Sequence, residues 1–352
     1  MVGFLLTRPD GVLRAYGRVA RFADVPAAAA ALRSGSAPIV VGALPFDPGA
    51  KADLVVPSSH EFTTYRTPLL EPLPALTLRA QIPAPAEHVA RVARLIDTIR
   101  AGGLRKVVAA RSEVFAAETP IDPELLAAHL ISHHPSANSF VVDLHDATLV
   151  GASPELLVRR RGRTVTVAPL AGTVPRGTGD ADDVAAAELL ASAKNREEHA
   201  YVVDWIRTQL APLCTELHIP AEPELSPTPE VWHLQTPVTG VLADPIPSSL
   251  DLAALLHPTP AVGGTPQDLA LATIATTEED RGYYGGAVGW CDGAGDGDWI
   301  VAIRCAELSA DRRTLRAYAG GGIVATSDPQ AELDETTAKL RTILSPFVAI
   351  RR

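Results

Sequence analysis

A strand with three consecutive glycines, followed directly by a helix start, is the feature that most constrains this fold. Residues 319–340 read AGGGIVATSDPQAELDETTAKL. Because glycine has no Cβ, the run Gly320–Gly322 allows another group to approach the main chain closely. Asp328 followed by Pro329 predicts a helix that begins with an aspartate N-cap and a proline in its first turn. The segment therefore predicts a strand whose backbone meets a small group, joined directly to a helix.

Two glutamates and a lysine share one face of this predicted helix. Glu332 and Glu335 are three residues apart and Lys339 follows Glu335 by four, so all three side chains project from one side. A solvated face with one ion pair is the commoner explanation of this spacing. Two carboxylates beside a narrow backbone crevice also suit a hard cation that substrate oxygens help to hold. Spacing alone leaves both explanations open.

Composition indicates a globular protein of a reducing compartment. The 352 residues are 47% apolar and 20% charged, enough for one large domain or two ordinary ones. The formal net charge is -10 and the basic run Arg159–Arg161 is short, which argues against nucleic-acid or membrane-surface binding. The cysteines, Cys214, Cys291 and Cys305, are odd in number and widely spaced, so we expect neither disulfides nor a zinc site. Without a signal-peptide pattern or a long apolar run, we expect a cytoplasmic protein.

Short apolar runs separated by turns predict strands, and amphipathic stretches between them predict helices. The predicted strands are Gly3–Thr7, Leu13–Tyr16, Ile39–Ala43, Lys106–Phe115, Ser139–Leu144, Thr148–Ala152, Leu156–Arg160, Thr164–Val167, Val231–Gln235, Thr239–Leu242, Arg281–Trp290, Trp299–Leu308 and Thr314–Ala319. The predicted helices are Ala86–Arg100, Pro123–His133, 180–211, Asp251–Leu256 and Gln267–Glu279. The proline-rich segment Pro68–Pro85 predicts a loop, and the four runs between residues 139 and 167 predict an antiparallel meander.

The helix predicted over residues 180–211 carries an acid on its apolar side. Glu198 and Lys194 fall on the same stripe as the apolar residues, whereas Glu197 falls on the polar face. A carboxylate on a buried stripe is costly unless it is paired or bound to a metal. An i,i+4 pair of Lys194 with Glu198 and a metal-ligand role for Glu198 are both compatible with this pattern.

Four further positions invite a chemical interpretation beside an ordinary structural one. Lys106 is either a solvated strand end or a lysine desolvated in a cleft that can act as a base. Glu155 is either an exposed turn acid or a carboxyl held at a strand start as a general acid. Arg304 interrupts an apolar strand and needs an anionic partner. His257 lies in a proline-flanked loop, where a structural role is the commoner one.

A series of motifs occurs in the order seen in the chorismate-utilising enzymes, and the chain resembles that family. The motifs are KVVAARSEVF, LVGASPELLVRR, PLAGTVPRG, SAKNREEHAYVV, LHPTPAVGG, DRGYYGGAVGW, IRCAEL and the glycine strand with its helix. They cover roughly residues 85–345, and GALPFD (Gly42–Asp47) extends the resemblance weakly towards the N-terminus. The resemblance implies an α/β (α+β) fold in which two large, mostly antiparallel β-sheets pack together with helices outside. It implies a single domain over residues 1–352, in which residues 1–85 are variable and residues 86–345 carry the catalytic motifs.

Within the family, the chain looks most like the isochorismate synthases, which add water at C2 of chorismate and expel the C4 hydroxyl. Lys106 stands where ammonia-using members commonly carry glutamine, so no amidotransferase partner is expected. Ala171 stands where aminodeoxychorismate synthases often carry a nucleophilic lysine. Ala261 stands where salicylate synthases tend to carry threonine. A salicylate synthase, which also eliminates pyruvate, and a non-catalytic chorismate-binding relative are the alternatives.

The resemblance also implies a site. Glu198 and Glu335, with Glu332 directly or through water, would hold Mg²⁺ against the ring carboxylate of chorismate. Lys106 would act as the base on water and Glu155 as the acid on the leaving hydroxyl. The expected substrate-binding residues are Gly172, Thr173, His257, Ala261, Tyr284, Arg304, Gly320, Gly321, Gly322 and Lys339. We expect a monomer whose product enters menaquinone or siderophore biosynthesis.

Overall fold

The computed structural model describes residues 2–8, 11–65, 69–347 and 349–351 of the chain. The strands are β1 Val2–Arg8, β2 Gly11–Tyr16, β3 Ala20–Phe22, β4 Ile39–Leu44, β5 Asp53–Val56, β6 Ser59–Thr63, β7 Leu76–Ile82, β8 Lys106–Ala117, β9 Asn138–Asp143, β10 Ala147–Ser153, β11 Leu156–Arg161, β12 Thr164–Ala168, β13 Leu170–Pro175, β14 Cys214–His218, β15 Glu224–Pro227, β16 Val231–Gln235, β17 Val238–Leu242, β18 Gly264–Thr265, β19 Ala287–Asp292, β20 Gly297–Val301, β21 Cys305–Ser309, β22 Thr314–Ile323 and β23 Ile350–Arg351. The helices are α1 Val25–Arg33, α2 Pro85–Ala101, α3 Pro123–His133, α4 Asp180–Ala191, α5 Ala193–Leu210, α6 Ser249–Leu256, α7 Gln267–Thr277 and α8 Pro329–Leu344, with a 3₁₀ turn at Ala211–Leu213.

Two large β-sheets form the body of the molecule, as the resemblance implied. The first has the order β23-β7-β8-β22-β21-β10-β9-β1-β2-β6, with β18 paired to β8, and the second has the order β14-β17-β12-β11-β20-β19-β4-β5-β3. Neighbouring strands run antiparallel, apart from the parallel pair of β23 and β7. A small third sheet, β13-β16-β15, was not predicted. The predicted fold class is therefore confirmed.

Apolar side chains from both large sheets meet in a shared layer of core. Phe4 and Phe140 of the first sheet pack in one cluster with Val41, Val288 and Ile300 of the second. Helices cover the outer faces: α8 and α2 lie against β22 and β8, α3 against β9 and β10, and α6 against β11 and β20. Within the described residues, no helix is long and apolar enough to cross a membrane.

Two segments that were predicted as continuous are divided between the large sheets. The predicted meander changes sheet at Pro154–Glu155, because β10 belongs to the first sheet and β11 to the second. The strand predicted over Trp299–Leu308 also changes sheet, at Ala302–Arg304 between β20 and β21. We call these segments the first and the second crossover. Consecutive apolar residues lie on both sides of each crossover, without an alternation whose break could mark the change of sheet, which is why the sequence pattern did not reveal it.

Three other predictions of secondary structure were wrong in whole or in part. The strand predicted over Arg281–Trp290 begins only at Ala287, since residues 281–286 form turns. Residues 180–211 form two helices instead of one, since Ser192 adopts an extended conformation (φ -68°, ψ 111°) and caps α5 through the N–H of Asn195. The predicted loop Pro68–Pro85 contains β7, which lies between flanking prolines and pairs with β8. By contrast, the side chain of Asp328 accepts a hydrogen bond from the N–H of Ala331, so the predicted N-cap of α8 is confirmed.

Candidate active site

The two crossovers lie side by side and bring an acid and a guanidinium to one cavity. The N–H of Val301 donates to the carbonyl of Glu155 and the N–H of Ala152 donates to the carbonyl of Arg304, both at 3.1 Å. The pairing of β10 with β21 in one sheet and of β11 with β20 in the other continues on either side. Arg304 adopts a positive φ of 52°, which is uncommon for a residue with a Cβ and often marks a functional position.

The crossovers line a cavity of about 60 Å³ with β8, β13, β22, α5 and α8. The predicted site residues on its wall are Glu155, Gly172, Thr173, Glu198, Ala261, Tyr284, Arg304, Gly320, Gly322 and Lys339. Ala171 lines it too. The volume holds about two water molecules, so a ring-sized substrate needs the side chains of this wall to move apart.

Five predicted site residues do not line this cavity. Lys106, Gly321, Glu332 and Glu335 adjoin its wall around the glycine strand. His257 is the fifth, and it packs elsewhere. Its imidazole is buried and its Nε2 lies 2.8 Å from the carbonyl oxygen of Pro45, to which it donates a hydrogen bond. Burial lowers the pKa of His257 to about 4, so the ring is neutral. The structure thus gives His257 the structural role that the loop sequence favoured, holding residues 257–264 against the end of β4, and does not bring it to the cavity as a substrate-binding residue.

The glycine strand β22 passes directly beneath the acidic groups of the site. A Cβ on Gly322 would lie 2.0 Å from Glu198 Oε1 and 3.0 Å from Lys106 Cε, and one on Gly321 would lie 2.8 Å from Glu332 Oε2. A Cβ on Gly320 would meet the hydroxyl of Tyr284 at 2.9 Å. Side chains therefore approach the main chain at each glycine, as the sequence predicted.

Each of the three predicted metal-ligating glutamates is paired with a lysine. Lys106 Nζ lies 3.1 Å from Glu198 Oε1. Lys194 Nζ lies 2.7 Å from Glu332 Oε1, so the i,i+4 pair of Lys194 with Glu198 is replaced by a pair between two helices. The third pair joins Lys339 to Glu335 at 2.6 Å on one face of α8.

These carboxylates are electrostatically unequal. Burial alone would raise the pKa of Glu198, but Lys106 and Lys194 outweigh it and lower that pKa. Burial, reinforced by the charge of Glu335, raises the pKa of Glu332 to about 7. Glu332 Oε2 is buried and has no hydrogen-bond partner among the described residues. An added positive charge would satisfy this oxygen and relieve the repulsion between Glu332 and Glu335.

As they are placed, no three acidic, histidine or cysteine side chains of the described residues converge closely enough to hold a metal ion. The donor set nevertheless suits a cation, since Glu198, Glu332 and Glu335 surround Gly321 and Gly322 and each is neutralised by an ammonium group. Few carboxylates and room for water or substrate oxygens are what Mg²⁺ requires. The assignment of these residues to a metal site stays a prediction.

Glu155 is the most strongly desolvated acid on the cavity wall. Its side chain is 2% exposed, and burial raises its pKa to about 7 against the influence of Lys106 and Lys339. Lys106, at the start of β8, is 0% exposed. The cavity wall therefore carries a carboxyl that holds a proton near neutral pH, and the fully buried Lys106 adjoins the wall at Glu198 and Gly322.

His233 is a site residue that the sequence analysis missed. Its Nε2 lies 2.9 Å from Arg304 Nη2, which can only donate, so Nε2 accepts and Nδ1 carries the proton. Nδ1 then donates to Thr173 Oγ1 at 2.9 Å, which leaves the hydroxyl hydrogen of Thr173 available to a ligand. Burial and Arg304 hold the pKa of His233 well below its usual value, in agreement with this neutral form. Its inward position on β16 follows from strand alternation, the one signal that could have identified it.

Arg281 is the second residue that the sequence analysis missed. It donates to the carbonyl oxygens of Val108 and Val262 and to Glu278, and so ties the strand of Lys106 to the loop of Ala261. Its guanidinium is fully engaged, whereas Arg304 donates only to Thr342 and His233 and pairs with no carboxylate of the described chain. Arg304 is therefore the buried cation on this wall that is suited to an anionic ligand.

Comparison with known proteins agrees with this geometry. A family model described as "Chorismate binding enzyme" matches residues 35–348, and the chain belongs to that family of enzymes. It is 50% identical to a Mycobacterium tuberculosis protein named "Putative isochorismate synthase MenF", over 97% of this chain and 95% of that protein. It is 45% identical to the isochorismate synthase DhbC of Bacillus subtilis, over 88% and 80% of the two chains. The solved menaquinone-specific isochorismate synthase MenF of Escherichia coli superposes with a TM-score of 0.85 at 26% identity, over 98% of this chain and 89% of that one.

Proposed function

We propose that this enzyme converts chorismate to isochorismate by adding water at C2 and expelling the C4 hydroxyl. The observation that carries the proposal is the proton-holding Glu155 on the cavity wall, with the buried Lys106 next to two other wall residues, Glu198 and Gly322. Hydroxyl exchange on a ring needs a base for the incoming water and an acid for the departing hydroxyl. The family and the names of the relatives support the same reaction.

The substrate is a dianion, and the cavity offers a separate partner for each carboxylate. Arg304 takes the side-chain carboxylate, since its guanidinium is buried without an acid of its own. The hydroxyl of Thr173, oriented by His233, donates to the substrate. The N–H of Thr173 does not, because it lies 3.3 Å from Asn195 Oδ1 and donates there. The hydroxyl of Tyr284, beside Gly320, completes the wall.

The ring carboxylate binds next to the three glutamates. Glu198, Glu332 and Glu335 would hold Mg²⁺, which supplies positive charge to that carboxylate when it is bound. The lysines that now neutralise the glutamates would turn towards other anions, and Lys339 already donates to the carbonyl of Gly320 on the cavity wall at 3.0 Å. Separation of the lysine–glutamate pairs would thus free the glutamates for the cation and make room for the substrate.

Two buried side chains, Lys106 and Glu155, carry out the proton transfers. Lys106 is fully buried and lies beside Glu198. Lys106 accepts a proton from the attacking water. Glu155, still protonated near pH 7, donates its proton to the C4 hydroxyl as it leaves.

Incubation of the purified enzyme with chorismate, with and without Mg²⁺, tests the proposal, with chromatographic identification of the product. We expect isochorismate in the presence of Mg²⁺ and little conversion after chelation. Salicylate without a second enzyme would show that pyruvate elimination occurs as well. No conversion in the presence of Mg²⁺ would overturn the proposal. The product would enter menaquinone or siderophore biosynthesis in the cytoplasm, and we expect the enzyme to act as a monomer.

A further inference from the structure

A chain of polar contacts continues behind Arg304, away from the cavity. Arg304 Nη1 donates to Thr342 Oγ1 at 3.1 Å, and Thr342 Oγ1 donates to Glu230 Oε2 at 3.2 Å. The other carboxylate oxygen, Glu230 Oε1, lies 3.7 Å from His134 Nε2. The chain joins the second crossover to α8, to the segment before β16 and to the end of α3.

Glu230 is the carboxylate that Thr342 links to this side of the guanidinium. The two hydrogen bonds keep Glu230 Oε2 within about 6 Å of Arg304 Nη1. The Glu230 side chain is only 11% exposed, so water screens this interaction weakly. Burial lowers the pKa of Arg304, and Glu230 is the strongest influence that opposes burial.

His134 does not neutralise Glu230. Burial lowers the pKa of His134, although Glu230 opposes that change, so the ring stays neutral near pH 7. The charge of Glu230 therefore acts mainly on Arg304. It stabilises the buried guanidinium when the cavity holds no anion, and it competes with a substrate carboxylate for the same positive charge.

We propose that Glu230, acting through Thr342, is a positioning residue that limits how tightly Arg304 holds the side-chain carboxylate of the substrate. The inference rests on the proposed function, in which Arg304 binds that carboxylate. Thr342 has the second role in this arrangement, because its hydroxyl fixes one edge of the guanidinium by accepting from Arg304 while it donates to Glu230.

Substitutions of Glu230 and Thr342 should have opposite effects on the affinity for the substrate. Glu230→Gln keeps an oxygen that accepts from Thr342 but removes the competing charge, so chorismate should bind about threefold more tightly. Thr342→Val keeps the side-chain shape but removes both hydrogen bonds, so chorismate should bind about tenfold more weakly. If these polar contacts had only a structural role, both variants should bind chorismate more weakly.

Isothermal titration with chorismate measures these affinities, in a Glu155→Gln background in which turnover should be slower by about a hundredfold or more. Steady-state kinetics of the single variants gives the accompanying change in KM and kcat, with slower product release expected for Glu230→Gln. Glu224→Gln, an exposed acid on β15, is the matched control and should change neither quantity. Thr342→Ser retains the hydroxyl and should restore the affinity that Thr342→Val loses.

Weaker or unchanged binding in Glu230→Gln would overturn the inference, as would tight binding in Thr342→Val. Both results are interpretable only where the parent enzyme binds chorismate, which the same titration establishes first. A parent enzyme that neither binds nor converts chorismate would overturn the proposed function, and this inference with it. Normal activity of the parent with no effect of Glu230→Gln would overturn the inference alone.

Discussion

Replacement of Glu155 by glutamine separates the chemical role of this carboxyl from its cost to stability. Glutamine has nearly the same shape, cannot ionise and has no acidic proton to donate. The carboxyl is 2% exposed, and its pKa rises from 4.5 to about 7 in the folded chain because of burial. The same desolvation that makes Glu155 a competent acid near neutral pH must therefore destabilise the folded enzyme once the proton leaves.

The size of this effect follows from linkage between protonation and folding. A change in pKa from 4.5 to about 7 corresponds to about 3 kcal/mol of differential stability. Between these two values the folded chain retains a proton that the unfolded chain has released, so the free energy of unfolding falls as pH rises through this interval. Above about pH 7 both states are ionised and the contribution is constant. Glu155→Gln should thus be up to about 3 kcal/mol more stable than the wild type at pH 8.5 and nearly equal to it at pH 4.5.

Urea unfolding at several pH values measures the stability difference, and chromatography of isochorismate measures activity in the same preparations. We expect Glu155→Gln to lose turnover by about a hundredfold or more. Wild-type turnover should fall as pH rises through about 7, because Glu155 loses the proton it donates. Glu197→Gln is the matched control, since Glu197 is exposed on the polar face of α5 and should change neither stability nor turnover.

Two results would refute this reasoning. Turnover close to that of the wild type in Glu155→Gln would exclude Glu155 as the general acid. A stability difference that does not grow between pH 4.5 and pH 7 would show that burial does not raise the pKa of Glu155. Loss of activity together with increased stability at high pH is the combination that only a buried catalytic acid predicts.

Three further predictions concern the base, the cation site and the glycine strand. Lys106→Ala should lower turnover by about a hundredfold or more without abolishing chorismate binding, and wild-type turnover in this variant would exclude Lys106 as the base. Glu198→Gln should raise the Mg²⁺ concentration needed for half-maximal turnover, whereas Glu197→Gln should leave it unchanged; equal effects would remove Glu198 from the proposed cation site. Gly322→Ala should weaken Mg²⁺ binding in a calorimetric titration, because its Cβ would fall 2.0 Å from Glu198 Oε1, and unaltered binding would contradict the close approach at β22.

The sequence predicted the site best where one element carries the relevant residues. The glycine strand, the N-cap at Asp328 and the buried position of Glu198 all depend on local spacing, and the structure confirms each of them. The partners of the charged groups depend on tertiary packing instead. Lys194 pairs with Glu332 across two helices, although its own helix offers Glu198 at the favourable spacing. Helical spacing shows which side chains can meet on one helix, and it carries no information about an acid on the next.

The crossovers show a second limit of sequence patterns, and a reason for it. A segment that leaves one sheet and enters another stays largely apolar, since both sheets bury the same central layer. The sequence therefore gives little indication of the change of sheet. The only local signs are Pro154, before Glu155, and Arg304, between two apolar runs. The change of sheet matters for the proposed function, because the main-chain hydrogen bonds between the crossovers hold Glu155 and Arg304 beside each other.

This arrangement has a consequence for how the acid and the anion-binding guanidinium are held. Each residue lies in a short segment between two paired strands, and main-chain hydrogen bonds join the two segments. The acid is buried deeply enough to keep its proton, and the guanidinium has partners that fix it without neutralising it directly. Hydrogen-bonded backbone therefore places Glu155 and Arg304, while the lysine–glutamate pairs, which can exchange partners, surround the glycine strand where we propose that the cation binds.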